Sequence, residues 1–97
     1  MSTLPRGTTA RQLIKALQAD GFVLQRTRGT HRIYRHPDGR RVVVAYHLLS
    51  DSFPIGTLRA MISDAGWKED DLRRLGLLRS SYNRLSAESP FQNGLRL

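Results

Sequence analysis

Three histidines are the side chains of this sequence best suited to move a proton at neutral pH. His31, His36 and His47 all lie between residues 22 and 47. An imidazole titrates near pH ~6.5, so it can act as a general base or a general acid. Cleavage of RNA without a metal needs such a group at the 2′-hydroxyl, together with cations that stabilise the phosphate. A lone histidine on a strand is more often structural, so residue type alone leaves the role of each histidine open.

Six arginines share this stretch and are expected to form one positive surface with the histidines. Only Asp38 opposes them, and the whole chain has 16 Lys and Arg against 8 Asp and Glu, for a formal net charge of +8. This excess predicts a polyanionic partner, and nucleic acid, an acidic protein and a membrane surface remain open as alternatives. We interpret the following residues as phosphate contacts: Arg26, Arg28, Arg32, Arg35, Arg40 and Arg41.

Apolar periodicity and turn residues predict the elements that position these side chains. Helices are expected over Thr9–Ala19, Pro54–Ala65 and Lys68–Leu78, from i, i+3, i+4 stripes and from a capping box of Thr9 with Gln12. Strands are expected over Phe22–Arg26, Thr30–His36 and Arg40–Tyr46. The order α-β-β-β-α with a trailing helix predicts an α+β fold, a three-stranded antiparallel sheet with helices on one face.

The turn between the second and third strands fixes the predicted register. Pro37-Asp38-Gly39 fits a three-residue loop with a left-handed glycine, which pairs Ile33 with Val43 and His31 with Ala45. The bulkier face, with Tyr34, is then expected to pack on the helices. His31 would lie on the open face, with His47 as a diagonal neighbour.

Several classes of site are disfavoured by residue type and spacing. The chain has no cysteine, and its three histidines match no familiar ligand pattern, so we expect no metal and no cofactor. No apolar run approaches the ~20 residues of a membrane span. His36 is expected to cap the adjacent turn, and Trp67 to fill the core between two helices.

Five separated pieces of the sequence stand in a characteristic order and spacing: Gly21-Phe22; the run from Gly29-Thr30-His31 through His36-Pro37-Asp38-Gly39 to Val44; His47; Gly56-Thr57-Leu58-Arg59; and Ala65-Gly66. A helix that holds Leu13-Ile14 and Leu17 precedes them. In this order and spacing the sequence resembles the HicA (YcfA-like) toxins, over roughly Gln12–Leu75.

The resemblance implies a double-stranded-RNA-binding-domain-like fold and an mRNA interferase that is neutralised by a HicB antitoxin. It also implies that the histidine of the Gly-Ser-His signature is catalytic, and that position is His31 within Gly29-Thr30-His31. Thr30 stands where serine is usual and keeps the hydroxyl, while His47 matches a recurrent histidine position without an assigned chemical step. Both are therefore expected to be supporting residues.

We thus expect a cytoplasmic endoribonuclease toxin that acts on single-stranded RNA, with residues 1–78 as its domain and residues 79–97 as a C-terminal tail. Two rivals remain open. One is a non-catalytic RNA-binding module of the same fold, and the other is an interaction protein whose basic face docks an acidic partner. Cleavage of RNA by the isolated chain distinguishes the toxin from both.

Overall fold

The computed structural model describes residues 4–5 and 7–78, and the predicted tail over residues 79–97 lies outside them. The elements follow the predicted order, with three helices and three strands. They are α1 (Ala10–Ala19), β1 (Val23–Arg28), β2 (His31–Arg35), β3 (Arg41–Ala45), α2 (Ile55–Ala65) and α3 (Glu69–Arg74). No helix among the described residues is long and apolar enough to cross a membrane. The α+β fold predicted from the sequence is confirmed.

The strands form one antiparallel sheet in the order β1-β2-β3, and the predicted register of β2 and β3 is confirmed. His31 pairs with Ala45 and Ile33 pairs with Val43. The loop between them closes as expected, since the N–H of Gly39 donates to the carbonyl of His36 at 2.9 Å and Gly39 has a φ of 103°. The three-residue loop therefore decides which side chains share a face with His31.

One face of the sheet packs on the helices and the other is left open. Tyr34, Val42 and Val44 are buried against the apolar stripes of α1 and α2. The stripe of α1 begins after the predicted capping box, in which Thr9 and Gln12 exchange hydrogen bonds of 2.9 and 3.2 Å. Among the described residues two longer helices, α1 and α2, are available to cover the sheet, and they cover one side of it.

All three helices end in the same way, on a glycine with positive φ followed by an apolar residue. After α1, for example, the N–H of Gly21 donates to Gln18 and that of Phe22 donates to Leu17. This double bond pattern is the Schellman motif, and it turns the chain sharply off the helix. In α3 the motif stops the helix at Arg74, so the predicted continuation to Leu78 is wrong: Leu77 already donates back to Leu72 at 2.8 Å.

The carboxylate of Asp20 joins the end of α1 to the turn between β2 and β3, to the segment between α2 and α3, and to α3. Its Oδ2 accepts from Trp67 Nε1 at 2.8 Å and from an Arg40 guanidinium nitrogen at 3.1 Å. Its Oδ1 accepts from Arg74 at 3.4 Å. Burial by itself raises the pKa of Asp20, but the hydrogen bonds from Trp67, Arg40 and Arg74 outweigh burial and hold this pKa below its ordinary value of 3.8.

Replacing this carboxylate by an amide should destabilise the fold. We expect Asp20→Asn to lower the free energy of unfolding by about 1.5–3 kcal/mol, the usual worth of hydrogen bonds to charged groups. Urea unfolding at neutral pH measures the change. Asp64→Asn, an exposed carboxylate in α2 outside the ion pairs of the described residues, should change stability little.

The same substitution should also alter the acid sensitivity of the fold. Because the pKa of Asp20 is lower in the folded chain than in the unfolded chain, its stabilisation is present above about pH 3.8 and is lost as pH falls through the folded pKa. Asp20→Asn should therefore flatten the fall in stability below pH ~4. If the free energy of unfolding of Asp20→Asn fell below pH ~4 as steeply as that of the unchanged chain, the lowered pKa of Asp20 would not be the cause.

Candidate functional site

His31 is the first residue of β2 and lies on the open face of the sheet. Its neighbours across the sheet are Arg28 on one side and Ala45 on the other, and all three are exposed. Directly opposite residues have Cβ atoms about 4.5–5.5 Å apart. The imidazole is therefore flanked by a guanidinium and by a methyl group, which leaves it accessible to a ligand on the open face.

A β-bulge in β1 determines which arginines join His31. Leu24 pairs with Tyr34, but Arg26 pairs with Ile33, so Gln25 is the extra residue without a partner on β2. The extra residue reverses the alternation of side chains along the rest of β1. Without it, Arg26 and Arg28 would point towards the helices.

Four arginines consequently share the open face with His31. They occupy three successive rows of the sheet, formed by Arg28–His31–Ala45, Arg26–Ile33–Val43 and Val23–Arg35–Arg41. None of these paired positions is acidic, and within residues 4–5 and 7–78 none of the four arginines forms an ion pair. The result is an uncompensated positive strip beside a histidine, and we call it the basic face: His31, Arg26, Arg28, Arg35 and Arg41.

Arg32, also predicted as a phosphate contact, lies on the opposite face of β2. Its guanidinium is 4.1 Å from the centre of the Tyr46 ring and donates to the carbonyl of Thr30 at 3.1 Å. A longer bond of 3.5 Å reaches the carbonyl of Tyr46. Arg32 thus ties the turn that precedes His31 to the end of β3, and its contact with RNA gains no support from this position.

Arg40 is likewise engaged within the fold. Its Nε donates to both carboxylate oxygens of Asp38, and NH1 donates to Asp20 and, at 2.6 Å, to the carbonyl of Ala65. The side chain also lies over the ring of Phe22 at 5.0 Å. Two of the six predicted arginines therefore hold the domain together, and four lie on the basic face.

His36 caps the turn, as expected from its place in the sequence. Its Nδ1 accepts from the N–H of Asp38 at 3.1 Å, and its Nε2 lies 2.9 Å from the carbonyl of Asp20. The same Nδ1 also lies 3.0 Å from the Asp38 carboxylate oxygen Oδ1. A Cβ at Gly21 would lie 2.9 Å from the same Nε2, so glycine is needed there.

Thr30 and His47 lie just outside the paired strands. Thr30 is the second residue of the two-residue turn between β1 and β2, after Gly29 with a φ of 60°. β3 ends at Ala45, and His47 is an exposed residue of the following loop, where its N–H donates to Asp51 Oδ2 at 3.2 Å. The predicted strand over Arg40–Tyr46 is thus shorter at both ends, and the loop positions His47.

One concave region away from the basic face lacks comparable chemistry. A cleft of about 540 Å³ between the N-terminal segment and α2 is lined mainly by apolar side chains, with Arg59 as its charged member. Within the part of the chain that the structure describes, no three His, Asp or Glu side chains cluster in a way that could hold a metal ion. The basic face is therefore the candidate functional site.

The bulge is the feature of this site that the sequence interpretation missed. The sequence does contain a sign of the bulge. In a regular strand every second side chain lies on the same face, yet the even-numbered positions hold apolar Phe22 and Leu24 and then charged Arg26 and Arg28. A regular strand would have placed all four on the buried face. One extra residue between the two pairs resolves that conflict.

The comparison with known families agrees with this architecture. A family model described as the HicA toxin of bacterial toxin–antitoxin matches residues 10–67, a range that contains α1, the whole sheet and α2. A search among curated proteins finds no match. The family match spans more than half of the 97 residues and includes His31 and the basic face. The chain belongs to the HicA toxin family of bacterial toxin–antitoxin systems.

Proposed function

We propose that this toxin is a metal-independent endoribonuclease, an mRNA interferase, that cleaves single-stranded RNA with His31 as its catalytic residue. The observation that carries the proposal is the position of His31 among four arginines on an open face whose paired positions carry no carboxylate. Its site of action is then the cytoplasm, where mRNA is translated. No cofactor is needed for the chemistry described below.

The shape of the site favours single-stranded RNA over a compact small molecule. The basic face is a shallow sheet surface that extends along the strands, so it can contact successive phosphates of one strand. Arginine guanidinium groups recognise phosphate oxygens through paired N–H donors. Such contacts bind RNA with little dependence on sequence.

The chemistry requires removal of a proton from the 2′-hydroxyl, delivery of a proton to the departing oxygen, and stabilisation of charge at the phosphate. In the proposed step the 2′ oxygen bonds to phosphorus while the bond from phosphorus to the 5′ oxygen breaks. His31 either takes the proton from the 2′-hydroxyl or gives a proton to the departing 5′ oxygen, and water exchanges the other proton, which leaves a 2′,3′-cyclic phosphate and a 5′-hydroxyl. Arg28, its direct neighbour across the sheet, is placed to stabilise the negative charge on the phosphate.

A non-catalytic RNA-binding module is the second candidate, because the arginines of the basic face suffice for binding. Only the enzyme requires His31. One experiment therefore separates the two, in which binding and cleavage of a long single-stranded RNA are followed together with purified chain and a chelator.

The proposed protein partner is a HicB-like antitoxin that covers the basic face. A shallow, positively charged surface is readily masked by acidic residues, which also speed association. RNA would then be blocked by occlusion of His31. If the chain were instead an interaction protein whose basic face docks an acidic partner, it would have the same partner but no RNA substrate.

RNA binding should weaken with salt in proportion to the number of arginine contacts. Each phosphate contact to a single strand contributes about −0.7 to the slope of log K against log salt, so four contacts give roughly −3. Arg28→Ala and Arg35→Ala should each reduce the slope by about 0.7. Arg11→Ala, an exposed arginine on α1, is the matched control. Arg11→Ala should leave the slope unchanged. If Arg28→Ala also left the slope unchanged, the basic face would not be the RNA site.

His31→Gln and His31→Ala should abolish detectable cleavage while leaving the fold intact. Positioned proton transfer contributes about 10²–10⁴-fold, and truncation opposite Ala45 on an exposed face leaves no buried cavity. Cleavage rate, growth inhibition and melting temperature are measured on the same preparations. A partial loss in His47→Ala would indicate a supporting role for that residue. If folded His31→Gln cleaved RNA at the same rate as the unchanged chain, His31 would not be the catalytic residue, and the non-catalytic RNA-binding module would take the place of the enzyme.

Antitoxin binding should protect the RNA and bury His31. A double charge reversal, Arg26→Glu with Arg28→Glu, should weaken the complex with an acidic HicB-like partner, whereas Arg11→Glu should not. Titration of the antitoxin into the cleavage assay and calorimetry measure the two effects. A co-complex with His31 still accessible to solvent would contradict occlusion, though not the pairing of the two proteins.

A further inference from the structure

A shallow depression lies at the end of the basic face far from His31. It has a volume of about 290 Å³ and is lined by Val23, Gln25, Arg35, His36 and Pro37. Arg35 and His31 are four residues apart on β2, a distance of about 13 Å along a strand. A ligand in this depression is therefore separated from the groups that react at His31.

The surface of this depression is mostly apolar. Val23 is 64% exposed, and it lies in the same row as Arg35 and Arg41. Pro37 is exposed at the adjacent turn. An apolar surface beside an arginine is a poor site for a phosphate alone, whereas it suits a flat aromatic group attached to one.

Polar groups stand at one side of the same depression. The bulge places Gln25 beside Arg35, and the Nε of Arg35 donates to the Gln25 Oε1 at 3.4 Å. The bond is long, both side chains are exposed, and each retains donors that can turn to a ligand. Paired donors and acceptors of glutamine and arginine match the Hoogsteen edges of adenine and guanine.

We propose that this depression binds a purine base of the RNA, at a nucleotide removed from the one cleaved at His31. The inference rests on the proposed function, since it assumes that RNA lies along the basic face. Arg41 is in the same row and is placed to hold the phosphate of that nucleotide. Val23 and Pro37 provide the stacking surface, and Gln25 reads the base edge, while Arg35 beside it keeps its phosphate contact. The site would give a sequence-relaxed nuclease a preference at one position.

Binding to short RNAs that lack one base tests the proposal. The full-length chain with His31→Gln is titrated with a set of 8-nucleotide single-stranded RNAs, each with an abasic site at a different position. A stacked base contributes about 1–3 kcal/mol, so at one position base removal should weaken binding by about 5-fold or more. At that position a purine should bind more tightly than a pyrimidine.

Two neighbouring residues of β1 provide the matched variants. Val23→Ser should reduce the effect of base removal to less than about 2-fold, since the stacking surface is lost. Leu24→Ser should retain it, because Leu24 is 46% exposed on the opposite face of the same strand. Gln25→Ala should keep the stacking effect and lose the preference for a purine. Melting temperatures verify that each variant is folded.

The outcomes separate this inference from the proposed function. Salt-sensitive RNA binding without any position that depends on a base would overturn the purine site and leave the ribonuclease proposal standing. If Val23→Ser weakened only the complex with the antitoxin, the depression would belong to the protein interface, and the purine site would be wrong. A chain that bound no RNA at all would contradict both proposals.

Discussion

The carboxylate of Asp20 is the contact on which the relative positions of sheet and helices depend. It follows α1 directly and accepts hydrogen bonds from Trp67, Arg40 and Arg74, which come from three later parts of the chain. The backbone carbonyl of the same residue meets His36. A charged group held by several donors is costly to leave unpaired, so loss of one partner affects them all. The turn that sets the β2–β3 register is thereby fixed to the helical layer.

The arginines of the chain divide into two sets according to the face on which they lie. Arg32 and Arg40 stack on aromatic rings and bond to backbone carbonyls, so they support the turns at opposite ends of the sheet. The four on the basic face lack such partners among the described residues. The same residue type therefore stabilises the fold where it meets carboxylates and carbonyls, and offers a phosphate site where it meets solvent.

The small size of the chain explains why the proposed site is an open surface. Two helices cover one face of a three-stranded sheet, and the other face remains available to a ligand. An open site can accept a long strand of RNA, and a single protein partner can cover it. Ile33 differs from the other residues of this open face in being buried, because it lies at the centre of the face between Arg26 and Val43 of the flanking strands.

The sequence by itself determined the helix stripes, the capping box of Thr9, the Pro37-Asp38-Gly39 loop and hence the pairing of His31 with Ala45. These are local features, in which a few adjacent residues have one favourable conformation. The structural use of His36 was also predictable, because its partner Asp38 lies only two residues away.

Only the tertiary structure decided which arginines accompany His31. The bulge at Gln25 depends on how β1 fits β2 and the helices, and a shift of one residue moves each later side chain to the other face. The partners of Arg40 likewise include Asp20 and Ala65, which are distant in sequence. Local residue patterns determine which helices and strands form. Contacts between these elements determine which charged side chains form ion pairs within the fold and which remain free on its surface.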